Sequence, residues 1–345
     1  GQTAALAGIS ARPGERIGDG FGLEAPETVP LMSVQVEPTA PLTQSALLAH
    51  LREMEEEDPL LSVRPEADGV SVGVMGAVQV EVLQGILAAR FGDVVRMCPP
   101  HVLYRETIAA PVVGIGHYEP LRHYAEVWLK LEPGAPGSGI SFAADCPPNS
   151  LDENWQRLIR THVFERAHPG VLTGSPLCDV RIRLIAGRAH LKHTEGGDFR
   201  EATCRAIRNA LMQAENVLLE PVVRFELAMP NEALARVTGE LLRIGAQLDA
   251  SETDGGETTL TGRCTAAMFW DYPTRFAAST HGHGRIASRF DRYEPCKNQD
   301  DMVRQIGYDP LADTLNPPGS VFCSHGAGFY VAWDHVREWA HCEVE

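Results

Sequence analysis

The sequence specifies a multidomain α+β fold, and three observations carry that expectation. At 345 residues the chain is too long for one ordinary core. Strand and helix signals in the order βαββαβ occur early in the chain and return in its second half. Between the two copies lies a stretch with a different pattern and a different charge.

Residues 1–28 open on an apolar run, Ala4 to Ile9, followed by turn chemistry at Arg12-Pro13-Gly14-Glu15 and Gly18-Asp19-Gly20. This reads as the end of a small β unit and predicts a piece of a longer protein. From Leu31 the pattern is regular. Met32 to Val36 reads as a strand ended by Glu37-Pro38, and Leu42 to Glu56 as a helix with Leu47, Leu48, Leu51 and Met54 on one face. Leu60 to Arg64 and Val70 to Val74 read as short strands around Asp68-Gly69, a hairpin signal. Val78 to Arg90 is a second helix and Val94 to Cys98 a last strand. Residues 29–110 are therefore expected to form a ferredoxin-like sandwich, two helices on a four-stranded sheet.

The central stretch, residues 111–220, begins with His117 to Leu131, read as one long strand. The loop Pro133-Gly134-Ala135-Pro136-Gly137-Ser138-Gly139 must move or approach something closely. Ile140 to Ala144 is expected to pair back, and Leu151 to His168 to be a helix with Trp155, Leu158, Ile159 and Val163 inward, ended by His168-Pro169-Gly170. Val180, Ile182 and Leu184 alternate with Arg181 and Arg183, the period of a strand with one wet face. Phe199, Ala202, Ala206 and Ala210 then recur at helical spacing, with Asp198 as the expected N-cap. Between strand and helix, His190, Leu191, Lys192, His193, Thr194 and Glu195 form a projecting polar tip, with chemistry suited to touching RNA or to acid-base work.

The second βαββαβ unit spans residues 221–295. Its strands are Val222 to Ala228, Gln247 to Ala250, Glu257 to Gly262 and Arg285 to Phe290, and its helices Asn231 to Ile244 and Thr265 to Phe276. Residues 296–345 extend beyond it. Met302 to Ile306 reads as a short helix, Pro310 to Gly319 as a loop, Ser320 to Gly328 as a turn and Val331 to His341 as a helix. The aromatics Phe322, Phe329, Tyr330, Trp333 and Trp339 are expected to pack on the body, with contact to an RNA or protein partner as the alternative.

The formal charge of −16 argues at face value against a nucleic-acid partner. Its distribution weakens that objection. Glu24 to Asp68 carries ten acidic residues against Arg52 and Arg64, whereas Arg157 to Arg208 carries ten basic residues against five acidic ones. An acidic body with one basic lobe can dock on phosphate by that lobe alone; the alternative is charge on solvated helix faces. No apolar run approaches a membrane span and no charged-then-apolar leader opens the chain, so a cytoplasmic protein is expected. The eight cysteines show no CxxC pair and read as reduced thiols, Cys204 and Cys264 among them in the core.

A nucleotide-binding P-loop needs G-x-x-x-x-G-K-[ST], and Lys130, Lys192 and Lys297 are followed by Leu, His and Asn, so the chain has none. No catalytic residues are expected. The pairs His281-x-His283, Cys323-x-His325 and His341-Cys342 lie in separate segments without zinc-knuckle spacing and read as turn residues, with no metal expected.

Several strings resemble the elongation factor G superfamily of translational GTPases. Pro30 to Glu37, Glu56-Glu57-Asp58-Pro59 and Tyr104-Arg105-Glu106-Thr107 resemble its third domain, Asp179-Val180, Gly187 and the following loop and helix its fourth, and Leu218-Leu219-Glu220-Pro221 and Thr280-His281-Gly282-His283-Gly284 its fifth. The resemblance implies the end of a β-barrel domain II at 1–28, domain III at 29–110, a domain IV like the second domain of ribosomal protein S5 at 111–220, domain V at 221–295 and a C-terminal extension at 296–345. It implies a ribosome-binding arm whose tip reaches the rRNA of the decoding region, with GTP and Mg held by the protein's own N-terminal GTPase domain outside this chain.

Gly137-Ser138-Gly139 and Gly196-Gly197-Asp198-Phe199-Arg200 resemble the tetracycline ribosomal-protection proteins within that superfamily. The polar tip departs from their apolar, aromatic, proline-containing one, and Gln79 stands where the third domain usually has a histidine. On this reading the tip touches RNA, with Gly137, Ser138 and Gly139 as a supporting loop and Arg200, Arg205 and Arg208 as a supporting basic face. A translocase-like factor without a drug role and a free-standing RNA-binding or scaffold protein are the alternatives.

Overall fold

The computed structural model describes residues 30–66 and 69–342. The β unit expected over 1–28 and Asp68 of the hairpin signal lie outside them. Two compact units emerge, the first from residues up to Leu103 with Pro221–Asp291, the second from Tyr104–Glu220 with Arg292 onward.

Along the chain the first unit supplies β1 (Met32–Pro38), α1 (Gln44–Glu57), β2 (Arg64–Pro65), β3 (Val70–Val74), α2 (Ala77–Phe91), β4 (Val95–Met97) and β5 (His101–Val102). The second supplies β6 (Arg105–Ile108), β7 (Val112–Tyr118), β8 (Ala125–Pro133), β9 (Ile140–Ala144), α3 (Glu153–Phe164), β10 (Val180–Ala189) and α4 (Gly196–Gln213). From Pro221, within β11 (Asn216–Pro230), the chain is again in the first unit, with α5 (Leu234–Arg243), β12 (Gln247–Asp254), β13 (Glu257–Thr265), α6 (Ala266–Phe269), α7 (Tyr272–Ser279) and β14 (Arg285–Pro295). It closes in the second unit with α8 (Gln299–Ile306), β15 (Ser320–Ser324), β16 (Ala327–Val331) and α9 (Val336–Trp339).

The first unit holds both βαββαβ sheets. Their strand orders, β2-β3-β1-β4 and β12-β13-β11-β14, are the same permutation of first, second, third and fourth strands, as a ferredoxin-like sandwich requires. Leu47, Leu51, Leu83 and Leu87 of the first pair of helices cover Val34, Val36, Val70 and Val72, and Val237, Leu241, Tyr272 and Phe276 share the buried core with Phe225, Leu227 and Leu260. Two local expectations differ. The strand read over Leu60 to Arg64 is a 3-10 turn, Pro59–Leu61, because the Asp58 carboxylate accepts the Leu60 N–H at 3.1 Å and caps it. The helix read over Thr265 to Phe276 is two, and Pro273, which lacks an N–H, sits in the first turn of the second.

The second unit is built on one sheet, β16-β15-β7-β8-β10-β9. The long strand expected over His117 to Leu131 is an antiparallel pair instead, Tyr118 opposite Ala125 and Val112 opposite Leu131. Pro120 cannot donate to a ladder, and its carbonyl accepts the His123 N–H at 2.9 Å to turn the chain. β9 does not pair back on β8 but runs parallel to β10, Ile140 beside Val180, and α3 makes the crossover that a parallel pair needs. Helix α4 lies directly on β7. A Cβ on Gly114 or Gly116 would stand 2.1 Å from Ala206 O or 1.8 Å from Ala202 O, so glycine on the strand and alanine on the helix permit the approach together. Glu106, fully buried, accepts the N–H groups of Leu172, Thr173 and Ser175 and pins the loop before β10.

The C-terminal segment is part of this sheet. The turn and helix expected over Ser320 to His341 are a hairpin, Phe322 opposite Phe329, that joins β7 in parallel at Val321 beside Tyr118, and the helix shrinks to Val336–Trp339. Phe322, Val331 and Val336 are buried with Ile115 and Trp128. Glu126 fastens the end. Its carboxylate, at 0% exposure, accepts from His117 Nδ1 (2.7 Å), Trp128 Nε1 (2.8 Å) and the backbone N–H groups of His341 (2.8 Å) and Cys342 (2.7 Å).

Burial works to raise the Glu126 pKa, but the bonds from His117, the His341 N–H and Trp128 outweigh it and bring it from 4.5 to about 2. The ionised carboxylate therefore contributes stability that is complete above about pH 4.5 and is lost as pH falls toward about 2, on the order of 3 kcal/mol. Acid titration followed by near-ultraviolet circular dichroism is expected to show the Trp128 environment loosening in that window. Glu126→Gln should remove most of the dependence and lower the melting temperature at neutral pH.

Candidate nucleic-acid interface

The tip is made by the junction of β10 and α4. β10 pairs with β8 until Ala189 faces Ala125, and the next six residues leave the sheet. His190 O accepts the N–H groups of His193 (3.2 Å) and Thr194 (3.0 Å), which rolls the segment into one tight turn. The half-buried Thr194 is its staple: its hydroxyl accepts the His190 N–H and donates to Tyr124 O, each at 2.6 Å. Everything else on the turn faces outward. Leu191 is completely exposed, Lys192 and Glu195 are exposed, and the exposed imidazoles of His190 and His193 stack at 4.6 Å.

Asp198 is not the N-cap expected of it. The helix starts at Gly196 with Glu195 as its cap residue, since two glycines accommodate the first turn, and Asp198 lies inside, buried. Its carboxylate accepts the Glu195 N–H at 2.8 Å and meets His123 Nδ1 at 2.8 Å. The turn between β7 and β8, Glu119 to Tyr124, is thereby bound to the tip through His123 and Tyr124. It adds exposed Leu121 and exposed Arg122, whose φ of 67° turns it out of the strand. Arg122 and the Lys192 ammonium have no ion-pair partner among the described residues. The sequence signal for this second loop is Pro120 alone, set in a run whose other residues carry a strand pattern.

Other residues expected beside the tip are elsewhere. The loop Gly137-Ser138-Gly139 follows the far end of β8, where Pro133 faces Val180, about 30 Å along the strand from the tip. It is locked on Asp179, which accepts the Gly137 and Gly139 N–H groups at 3.0 and 2.8 Å, with both glycines at positive φ. It supports the start of β10, not the tip. Arg205 and Arg208 are not an exposed basic face, because both are buried under the C-terminal segment. Arg205 donates to Gly319 O at 2.8 Å, and Arg208 to Gly170 O at 2.8 Å and the Tyr308 hydroxyl at 2.7 Å. Their charge holds the tail instead of meeting phosphate. Arg200 is exposed but paired with Glu165 at 2.8 Å. Cys264 is buried as expected, whereas Cys204 is only partly so.

Two families of known domains match this chain. Residues 100–215 match elongation factor G, domain IV, and residues 217–303 match the elongation factor G C-terminus. Two consecutive domains of this chain are of the elongation factor G type. The domain IV match contains both loops of the tip, Glu119 to Tyr124 and His190 to Glu195. The C-terminal elongation factor G match ends before β15, so the hairpin that completes the central sheet lies outside both matched ranges. A crystal structure of a protein from Thermus thermophilus is similar at a TM-score of 0.67 and 25% identity, covering 81% of this chain and 43% of that one. The chain thus spans less than half the length of that relative. No helix among the described residues is long and apolar enough to cross a membrane.

The staple predicts a local effect. Thr194→Val removes both hydroxyl bonds and should cost about 1–2 kcal/mol of local stability. Amide exchange at His190 and Thr194 should quicken while the melting temperature of the chain stays close to wild type.

Proposed function

We propose that this chain is the ribosome-binding arm of an elongation factor G-like protein and that its polar tip reads ribosomal RNA. The observation that supports this best is the pairing of two exposed loops at one end of the central sheet, with Arg122 and Lys192 unneutralised and two imidazoles beside them. Ammonium and guanidinium groups engage phosphate, and histidines stack on or hydrogen-bond to unpaired bases of an internal loop. The acidic remainder of the chain then disfavours promiscuous binding. In this reading the chain binds and probes without catalysing, and GTP hydrolysis with Mg belongs to an N-terminal domain of the longer protein.

Within that role we propose the ribosomal-protection group, on the resemblance of Gly196-Gly197-Asp198-Phe199-Arg200 and of the Gly137-Ser138-Gly139 loop. The second reading, a translocase-like factor with no drug role, is favoured by the tip itself, which is polar where protection proteins are apolar and aromatic. Release of labelled tetracycline from ribosomes by the full-length protein with GTP separates them. Release that is lost when residues 190–195 become glycine and serine supports protection; no release alongside intact ribosome-stimulated GTP hydrolysis supports the translocase-like reading.

Affinity for ribosomes should fall steeply with salt. The double variant Arg122→Ser, Lys192→Ser should bind about tenfold more weakly near 0.1 M salt and lower the slope of log affinity against log salt by about two. Ribosome association indifferent to salt would remove the basis of the proposal.

A further inference from the structure

One cluster in the second unit has chemistry that RNA binding does not use. His117 from β7, Glu119 from the following turn and His341 from the C-terminal segment bring one ligand atom each within 4.8 Å of one another. They are the one such group of histidine, cysteine and carboxylate side chains among the described residues. Of the pairs singled out in sequence, His281-x-His283 and Cys323-x-His325 do not contribute to it, and His341-Cys342 contributes His341 alone.

The hydrogen bonds prepare these atoms for a cation. His117 Nδ1 lies 2.7 Å from the Glu126 carboxylate, whose other contacts, Trp128 Nε1–H and the His341 and Cys342 N–H groups, are all donors. The Glu126 carboxylate accepts the hydrogen bond of His117 Nδ1–H, the tautomer that leaves Nε2 with the lone pair. Nε2 points at Glu119 Oε2, 3.1 Å away. Two acceptors in that position require a proton or a metal ion between them. A carboxylate behind the distal nitrogen of a histidine is also the usual outer support of a metal-bound imidazole.

His341 suits the same role. Its ring packs at 4.7 Å from that of His117, and its Nδ1 is 3.0 Å from the Tyr124 hydroxyl. Tetrahedral ligands at about 2.0–2.1 Å from zinc stand roughly 3.3 Å apart, so the 3.1 Å edge already has the right length and the longest edge closes by about 1.5 Å.

We propose that His117, Glu119 and His341 bind one divalent transition-metal ion, zinc being the best fit to two imidazoles and a carboxylate, with the remaining position open to water. The ion ties the C-terminal segment to the corner from which the β7–β8 loop reaches the tip. Its role is structural, and it is independent of what the tip binds.

Equilibrium dialysis of the full chain, stripped with chelator and exposed to Co2+ as the spectroscopic probe, tests the site. The expected result is one Co2+ per chain with a visible ligand-field band, displaced by Zn2+. His341→Ala and Glu119→Gln should each weaken uptake by about 10–100-fold, whereas the double variant His281→Ala, His283→Ala should leave it unchanged. Zinc should raise the melting temperature of the wild type but not of His341→Ala, and His341→Ala folds without needing the buried His117 altered. Failure to take up one equivalent, or uptake that survives both single variants, overturns the proposal.

Discussion

The second unit depends on one buried carboxylate. Glu126 sits in the middle of a six-stranded sheet with no exposure, where an unpaired charge would be prohibitive. Four donors make it tolerable, and two of them are backbone N–H groups of residues 341 and 342. Removing the C-terminal segment would therefore leave a buried anion short of two partners as well as uncover Ile115 and Trp128. The same carboxylate orients His117, so a packing requirement in β8 also fixes the chemistry of the corner beside the tip.

The tip follows from how the strands end. β7 turns back at Pro120 while β10 runs to Ala189 and then rolls over Thr194, and both loops leave the same end of the sheet. Asp198 and the Thr194 hydroxyl bond across them, so two short polar loops are held as one surface without an apolar core of their own. Such a surface can be rigid at its base and adaptable at Leu191 and Lys192. The arginines that sequence composition credits to this surface do other work: Arg205 bonds the Gly319 carbonyl of the tail, and Arg208 the Tyr308 hydroxyl and Pro310 carbonyl of the tail as well as Gly170 O.

The two ferredoxin-like units were legible because amphipathic periods and turn residues are local and recur in the same order. The tip was legible for a related reason, a strand period and a helix period separated by six polar residues. Less legible was anything set by partners distant in sequence. Whether Arg205 faces solvent depends on a loop 114 residues away, and whether Ile140 to Ala144 pairs with β8 or β10 depends on the crossover through α3. The hairpin at Ser320 was hidden because its few residues gain their second partner only from β7. His117 and His341 fell in different segments, and no spacing rule links them.

The most direct test of the account is to place a photo-crosslinking amino acid at Leu191 in the full-length protein and identify what it captures on the ribosome. The account predicts ribosomal RNA of the small-subunit decoding region, with capture lost when Thr194 no longer staples the turn. Efficient ribosome binding with crosslinks from position 78 of α2 but none from position 191 would contradict it.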